Sequence, residues 1–246
     1  MEDSVAGKSL IRVEVGHQDQ APPLFSCFCM FGPCGSPFVT KKKKNSPIKV
    51  AAVCGSLRKA SYNRGLIRYA IELSKTSISG LEIDYVDISE LPFLNTDLQG
   101  EKEKSFPPAV EALRQKILEA DSIVFCFSRV QLLHLRWVSF LTAFLRPLKN
   151  AIDWASRPPN VWADMAAAVV NASGDFGGGR AQYHLRQVGV SLDLHFINKP
   201  EFFLKGLQHN PPKFDRDGNL IDEQAKENLK EVLLSLQAFT LRLQKK

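Results

Sequence analysis

No stretch of this sequence reads as a segment that crosses a bilayer or enters a secretory pathway. The two most apolar stretches both fall short. Residues 24–39, LFSCFCMFGPCGSPFV, are broken by Gly32-Pro33-Cys34-Gly35 and preceded by Glu2, Asp3, Glu14 and Asp19, whereas a secretory leader needs a basic start and an unbroken apolar core. Residues 127–146 carry Arg129, Arg136 and Arg146 and are too polar to span. Cysteine is sparse and odd in number: Cys27, Cys29, Cys34, Cys54 and Cys126. The first three lack a second cluster to complete four ligands, so no metal site is expected, and the other two lie in apolar strands, as in a protein of a reducing compartment such as the cytoplasm. A surplus of one charge sign is also missing. The formal net charge is +6, but Lys41, Lys42, Lys43 and Lys44 form one run and the remainder is close to balance, which removes the case for a nucleic-acid partner. No Gly-Lys-Ser/Thr triplet occurs where a nucleoside-triphosphate loop would need it.

What is present is an ordinary globular composition, 44% hydrophobic and 24% charged over 246 residues, enough for one domain of about 200 residues. Residues 1–47 show no clear periodicity and read as an appendage, either disordered or the product of a misassigned gene start; residues 48–246 are the expected domain. That domain is organised around residues 48–73. A Val/Ala-rich run, residues 50–54, predicts a buried strand that stops at Gly55-Ser56. Leu66, Tyr69, Ala70 and Leu73 then recur at helical spacing, with Ser61 or Asn63 placed to cap the first turn. The loop between is a strand-to-helix turn whose free N–H groups make an anion site, or else a plain polar loop. Its side chains favour an anion: Gly55 admits a ligand to the backbone, Ser56 and Ser61 carry hydroxyls, and Arg58, Lys59 and Arg64 offset negative charge. With no carboxylate placed for a metal, a monophosphate fits better than a triphosphate.

Strand and helix alternate from there on. Strands are predicted at residues 81–88, 122–127, 165–170 and 192–197, and helices from Pro107-Pro108 onward (Val110, Leu113, Ile117 and Ala120 inward), at 148–156, around 182–187 and at about 222–243. Five strands joined by helical segments imply a three-layer α/β domain, a parallel sheet with helices on both faces and ligands bound beyond the strands' carboxyl ends. Three loops converge there: residues 55–62, the stretch after Cys126 and the stretch after Asn171. The third, NASGDFGGGRAQYHLRQ, lets backbone lie close to a flat ring through Gly174, Gly177, Gly178 and Gly179. As a dinucleotide fingerprint it fails, because Gln182 stands where the third glycine belongs.

GSLRKASYN, at residues 55–63, resembles the loop that holds the FMN phosphate in the NADPH-dependent FMN reductase family, and residues 180–186, RAQYHLR, resemble the segment bordering its isoalloxazine ring. The resemblance runs over residues 48–127 and 147–243. It implies a flavodoxin-like fold with strand order 2-1-3-4-5, FMN as cofactor, NADPH as hydride donor, a quinone or similar small acceptor, and assembly as a homodimer or homotetramer. Cofactor binding is expected from Gly55, Ser56, Arg58, Ser61 and Asn63 for the phosphate and from Ser173, Gly174 and Gly177 for the ring, with no catalytic side chain. Arg180 and Arg186 are read as meeting the NADPH phosphate or pairing with a neighbouring subunit, His184 and Tyr183 as packing residues, and Cys54 and Cys126 as small buried hydrophobes.

One segment departs from the family. Where it carries Pro-Glu-Tyr-Asn after the third strand, this chain has FSRVQLLHLRWVSFLTAFLR, and the pattern resumes only at Pro147 as PLKN. Three accounts compete for residues 127–146: a helix that packs or lies on a membrane surface, a misplaced exon boundary, or an altered substrate pocket. Loss of this loop opens a second functional reading, a catalytically impaired member of the fold.

Overall fold

The computed structural model describes residues 46–100, 105–127, 146–174, 178–206 and 210–245, all within the unit Lys41–Lys246. Among these residues five α-helices and six strands follow in the order β1 (Ile48–Cys54), α1 (Tyr62–Thr76), β2 (Leu81–Val86), α2 (Pro108–Glu119), β3 (Ser122–Cys126), α3 (Arg146–Ser156), β4 (Ala166–Ser173), α4 (Gly179–Ser191), β5 (His195–Phe196), β6 (Phe202–Lys205) and α5 (Glu223–Leu243), with one 3-10 turn at Thr96–Leu98. The strands are parallel, in the order β2-β1-β3-β4-β5, with β6 also on β4.

The pleat explains the three layers. Val50, Ala52 and Cys54 of β1 point to one face, where they join Leu66, Ala70 and Leu73 of α1 and Leu229, Val232 and Leu236 of α5. Ala51 and Val53 point to the other and meet Leu113 and Ile117 of α2, Ile152 of α3 and Leu185 of α4. The predicted order and layering hold.

The outer strand differs from expectation. Instead of one strand at 192–197 there are two short pieces: β5 pairs with Ala166 and Ala167, and β6 pairs with Val170–Ser173. Pro200 lies between them and has no N–H to give to a ladder, so the pairing breaks there and resumes. Periodicity found the first piece and missed FFLK at 202–205 because four residues are too few to show a period. Helix ends behave more predictably: Asp222 caps α5 by accepting from the Ala225 N–H at 2.8 Å.

Helix α2 buries a charged residue that the sequence reading left out of its inward stripe. Arg114 is 4% exposed and donates to the carbonyls of Trp154 (3.2 Å), Ala155 (3.3 Å), Arg157 (3.0 Å) and Pro159 (2.7 Å), while its guanidinium lies 4.2 Å from the Phe106 ring centroid. It serves as the C-terminal cap of α3, a cation on the negative end of the helix dipole.

Candidate active site

The first loop leaves β1 at Gly55, whose N–H donates to the Cys126 carbonyl at 2.8 Å and so anchors it to β3. Ser61 ends the loop as the N-cap of α1 in extended conformation, 4% exposed, and its side chain makes no capping hydrogen bond. The first-turn N–H groups of α1, at the positive end of the helix dipole, are therefore not capped by the Ser61 side chain, as an anion site requires. Arg58 and Lys59 are exposed on the loop and Ser56 is half-buried. Arg64 lies over the Tyr85 ring, 4.9 Å from its centroid.

Asn63 is placed as a brace. Its amide donates to the Ala172 carbonyl (2.9 Å) and accepts the Ala172 N–H (2.9 Å), pairing with β4 as a neighbouring strand would, and the side chain is 2% exposed. The Cys126 thiol donates to the Asn63 carbonyl at 3.1 Å. The ends of β1, β3 and β4 are thus locked to the start of α1.

The loop is also backed from behind by the turn at 215–219, which sequence reasoning did not connect to it. Arg68 donates to Asn219 Oδ1 (3.0 Å), the Asp217 carbonyl (3.2 Å) and the Lys59 carbonyl (3.3 Å), so one guanidinium ties loop to turn. Gly218, at φ +76°, sits so close that a Cβ on it would lie 2.7 Å from the Ala60 carbonyl oxygen. Phe214 stacks on Tyr62 with centroids 4.4 Å apart. Asp217-Gly218 is a turn signal in the sequence, but nothing local says which surface the turn meets.

The third loop leaves β4 at Ser173 and Gly174, both half-buried, and enters α4 at Gly178, the N-cap, at φ +84° and with no side-chain cap. Gly177 and most of the second loop, residues 128–145, lie outside the described residues. Beneath Gly178 sits Asn171, fully buried, with neither amide atom hydrogen-bonded. Sequence reading used it only to mark the end of a strand. The carboxyl end of the sheet therefore presents two uncapped helix N-termini and a buried, unpaired amide, a donor set that suits an anionic, ring-bearing ligand such as FMN.

Other side chains have quieter roles. Cys54 and Cys126 are register partners on β1 and β3, both free and buried. Burial pushes the Cys54 thiol up to about 11, opposed by the Ser56 N–H and by Arg64 and Arg68, and burial holds Cys126 well above its ordinary range. Neither is a thiolate at neutral pH, so neither is a nucleophile. Tyr183 donates to Glu201 at 3.3 Å, and Arg186 lies over Phe196 at 5.3 Å, its pKa lowered by burial.

A family model for NADPH-dependent FMN reductases matches residues 48–128 and 147–208. This chain belongs to that family. The family match skips residues 129–146, the segment that departs from the pattern in sequence. The chain is 61% identical over 199 residues to the NAD(P)H:quinone oxidoreductase of Solanum tuberosum, spanning 81% of this chain and 96% of the relative, and 61% identical over 199 residues to the NADPH:quinone oxidoreductase of Arabidopsis thaliana, spanning 81% and 95%. Among solved structures, FerB, a flavoenzyme NAD(P)H:(acceptor) oxidoreductase from Paracoccus denitrificans, matches with a TM-score of 0.64 and 26% identity over 79% of this chain and 98% of that one.

Proposed function

We propose that this chain is an FMN-dependent NAD(P)H:quinone oxidoreductase. The observation that carries this reading is the uncapped start of α1, set beside the glycine-rich entry to α4 at the carboxyl end of a doubly wound sheet, in a chain of this family. FMN held there would supply the redox chemistry, a two-electron hydride relay from NADPH to a quinone, with a proton from solvent completing the hydroquinone and NADP+ as co-product. The protein's own residues bind and orient. Ser56, Arg58, Ser61 and the first N–H groups of α1 hold the phosphate, with Gly55 and Asn63 shaping the loop. Ser173, Gly174 and Gly177 line the ring. The buried, protonated thiols stay out of the reaction.

Free buried cysteines support a reducing, cytoplasmic setting. Among the described residues no helix is long and apolar enough to cross a membrane. The family resemblance supports self-association as a dimer or tetramer. Residues 48–246 form the working domain in this reading, and residues 1–47 are dispensable to it.

The break in the family match at residues 129–146 favours one rival, a member impaired in flavin binding. Titration of FMN into the purified protein, followed by NADPH-dependent quinone reduction, separates the two. The proposal expects a yellow protein with FMN bound one to one and steady turnover; a colourless protein that fails to bind added FMN sinks it. Within the proposal, Arg58→Ala weakens FMN about tenfold by removing a charge-assisted hydrogen bond. Equal affinity in variant and parent would place the phosphate elsewhere.

A further inference from the structure

Resting on the proposed flavin site, the structure assigns Asn171 a second duty: we propose that it is the positioning residue that seats the start of α4 when FMN is bound. Asn171 and Ala172 are neighbours on β4, and their contrast is informative. The main chain of Ala172 is fully paired with the amide of Asn63. The amide of Asn171 is 0% exposed and pairs with nothing. Native interiors rarely leave both ends of a buried amide unmade, because each unmade group costs its full desolvation. Asn171 is not short of main chain nearby. A Cβ on Gly178 would lie 2.6 Å from its Nδ2, so the backbone at the α4 N-cap rests against the amide, in contact but not in hydrogen-bonding geometry. Gly178 and Gly179 carry first-turn groups that no side chain caps. A small shift of these two residues would let the Asn171 oxygen accept an α4 N–H and its nitrogen meet the Gly178 carbonyl. A ring seated against the same helix start favours that shift, so the bonds left unmade in this structure become made bonds in the complex.

Asn171→Leu keeps the branched shape and removes both polar atoms. The expected result is a ligand-free protein that melts at or above the parent, with FMN bound about tenfold more weakly and the vibronic shoulders of the bound flavin's visible band blurred. A residue that merely holds the strand end would do the opposite, lowering the ligand-free melting temperature while leaving the bound spectrum as in the parent, and that result overturns the inference. Parent-like affinity and spectrum also overturn it. Asn171→Ala, read by the same affinity and spectrum, decides the matter if the leucine variant does not fold. A parent that binds no FMN overturns both the proposed function and this inference, whereas a parent that binds beside an equally competent variant overturns the inference alone.

Discussion

Asn63 and Arg114 show how a single side chain can stand in for a length of main chain. Asn63 continues the sheet past the end of β3 by pairing with Ala172, and Arg114 closes the carboxyl end of α3 on four carbonyls. Neither role could be read from the sequence, because the partners lie 109 and at least 40 residues away and a polar residue in a helical pattern defaults to solvent. The strand-to-helix loop proposed to hold the phosphate was legible for the opposite reason: Gly55, Ser56, Arg58 and Ser61 lie within one local turn. Cys54, read from sequence as a small buried hydrophobe, has a consequence for pH. Its thiol ionises near 9.0 when unfolded and near 11 when folded. The folded state therefore holds the proton longer, and the stability this confers is complete below pH 9 and lost as pH rises from 9 through 11. Two units of pKa correspond to about 2.7 kcal/mol. Thermal melting from pH 8 to 11 should show a steeper alkaline decline in the parent than in Cys54→Ala. Parallel declines would remove Cys54 as the cause.

At the scale of elements, the first helix is set by a contact that only glycine allows. A Cβ on Gly65 would lie 1.8 Å from the Gly218 carbonyl oxygen. On an open helix, Gly→Ala stabilises by about 1 kcal/mol. Here the turn at 215–219 would have to retreat, and overpacking of this kind costs about 1–3 kcal/mol, so the sign reverses. Gly65→Ala should melt about 2–12 °C below the parent and bind FMN more weakly, since the same turn backs Lys59 and Ala60. A rise in melting temperature would mean that the turn yields freely. The periodicity of α1 and α5 made both helices legible from sequence, because each buries one continuous stripe. The contact between α1 and the turn was not, since glycine has no side chain to signal a partner.

For the whole molecule, alternation of strand and helix together with right-handed crossovers made the parallel sheet and its two helical layers legible, since those rules leave few topologies open, and the family resemblance supplied the order 2-1-3-4-5. The rules do not reach residues 129–146, where the family match stops. Phe127 is fully buried in the core and Arg146 already begins α3, so the ends of the departure are fixed. Replacing residues 128–145 by a Pro-Glu-Tyr-Asn turn should raise FMN affinity about tenfold to a hundredfold, the equivalent of about 1.4–2.7 kcal/mol in ring contacts, and raise quinone turnover with it. A parent that already matches the repaired protein in both would show that the segment leaves the pocket alone.

The broken outer strand carries a last consequence, for colloidal behaviour. An open β-edge is a rail onto which another chain can crystallise, strand by strand, into an insoluble ribbon. At one side of this sheet β5 is only two residues long and is parted from β6 by Lys199-Pro200. At the other, β2 turns the carboxylates of Glu82 and Asp84 outward. Among the described residues neither border offers a long, flat, uncharged rail, so these two edges give crowded copies no ready seam along which to polymerise.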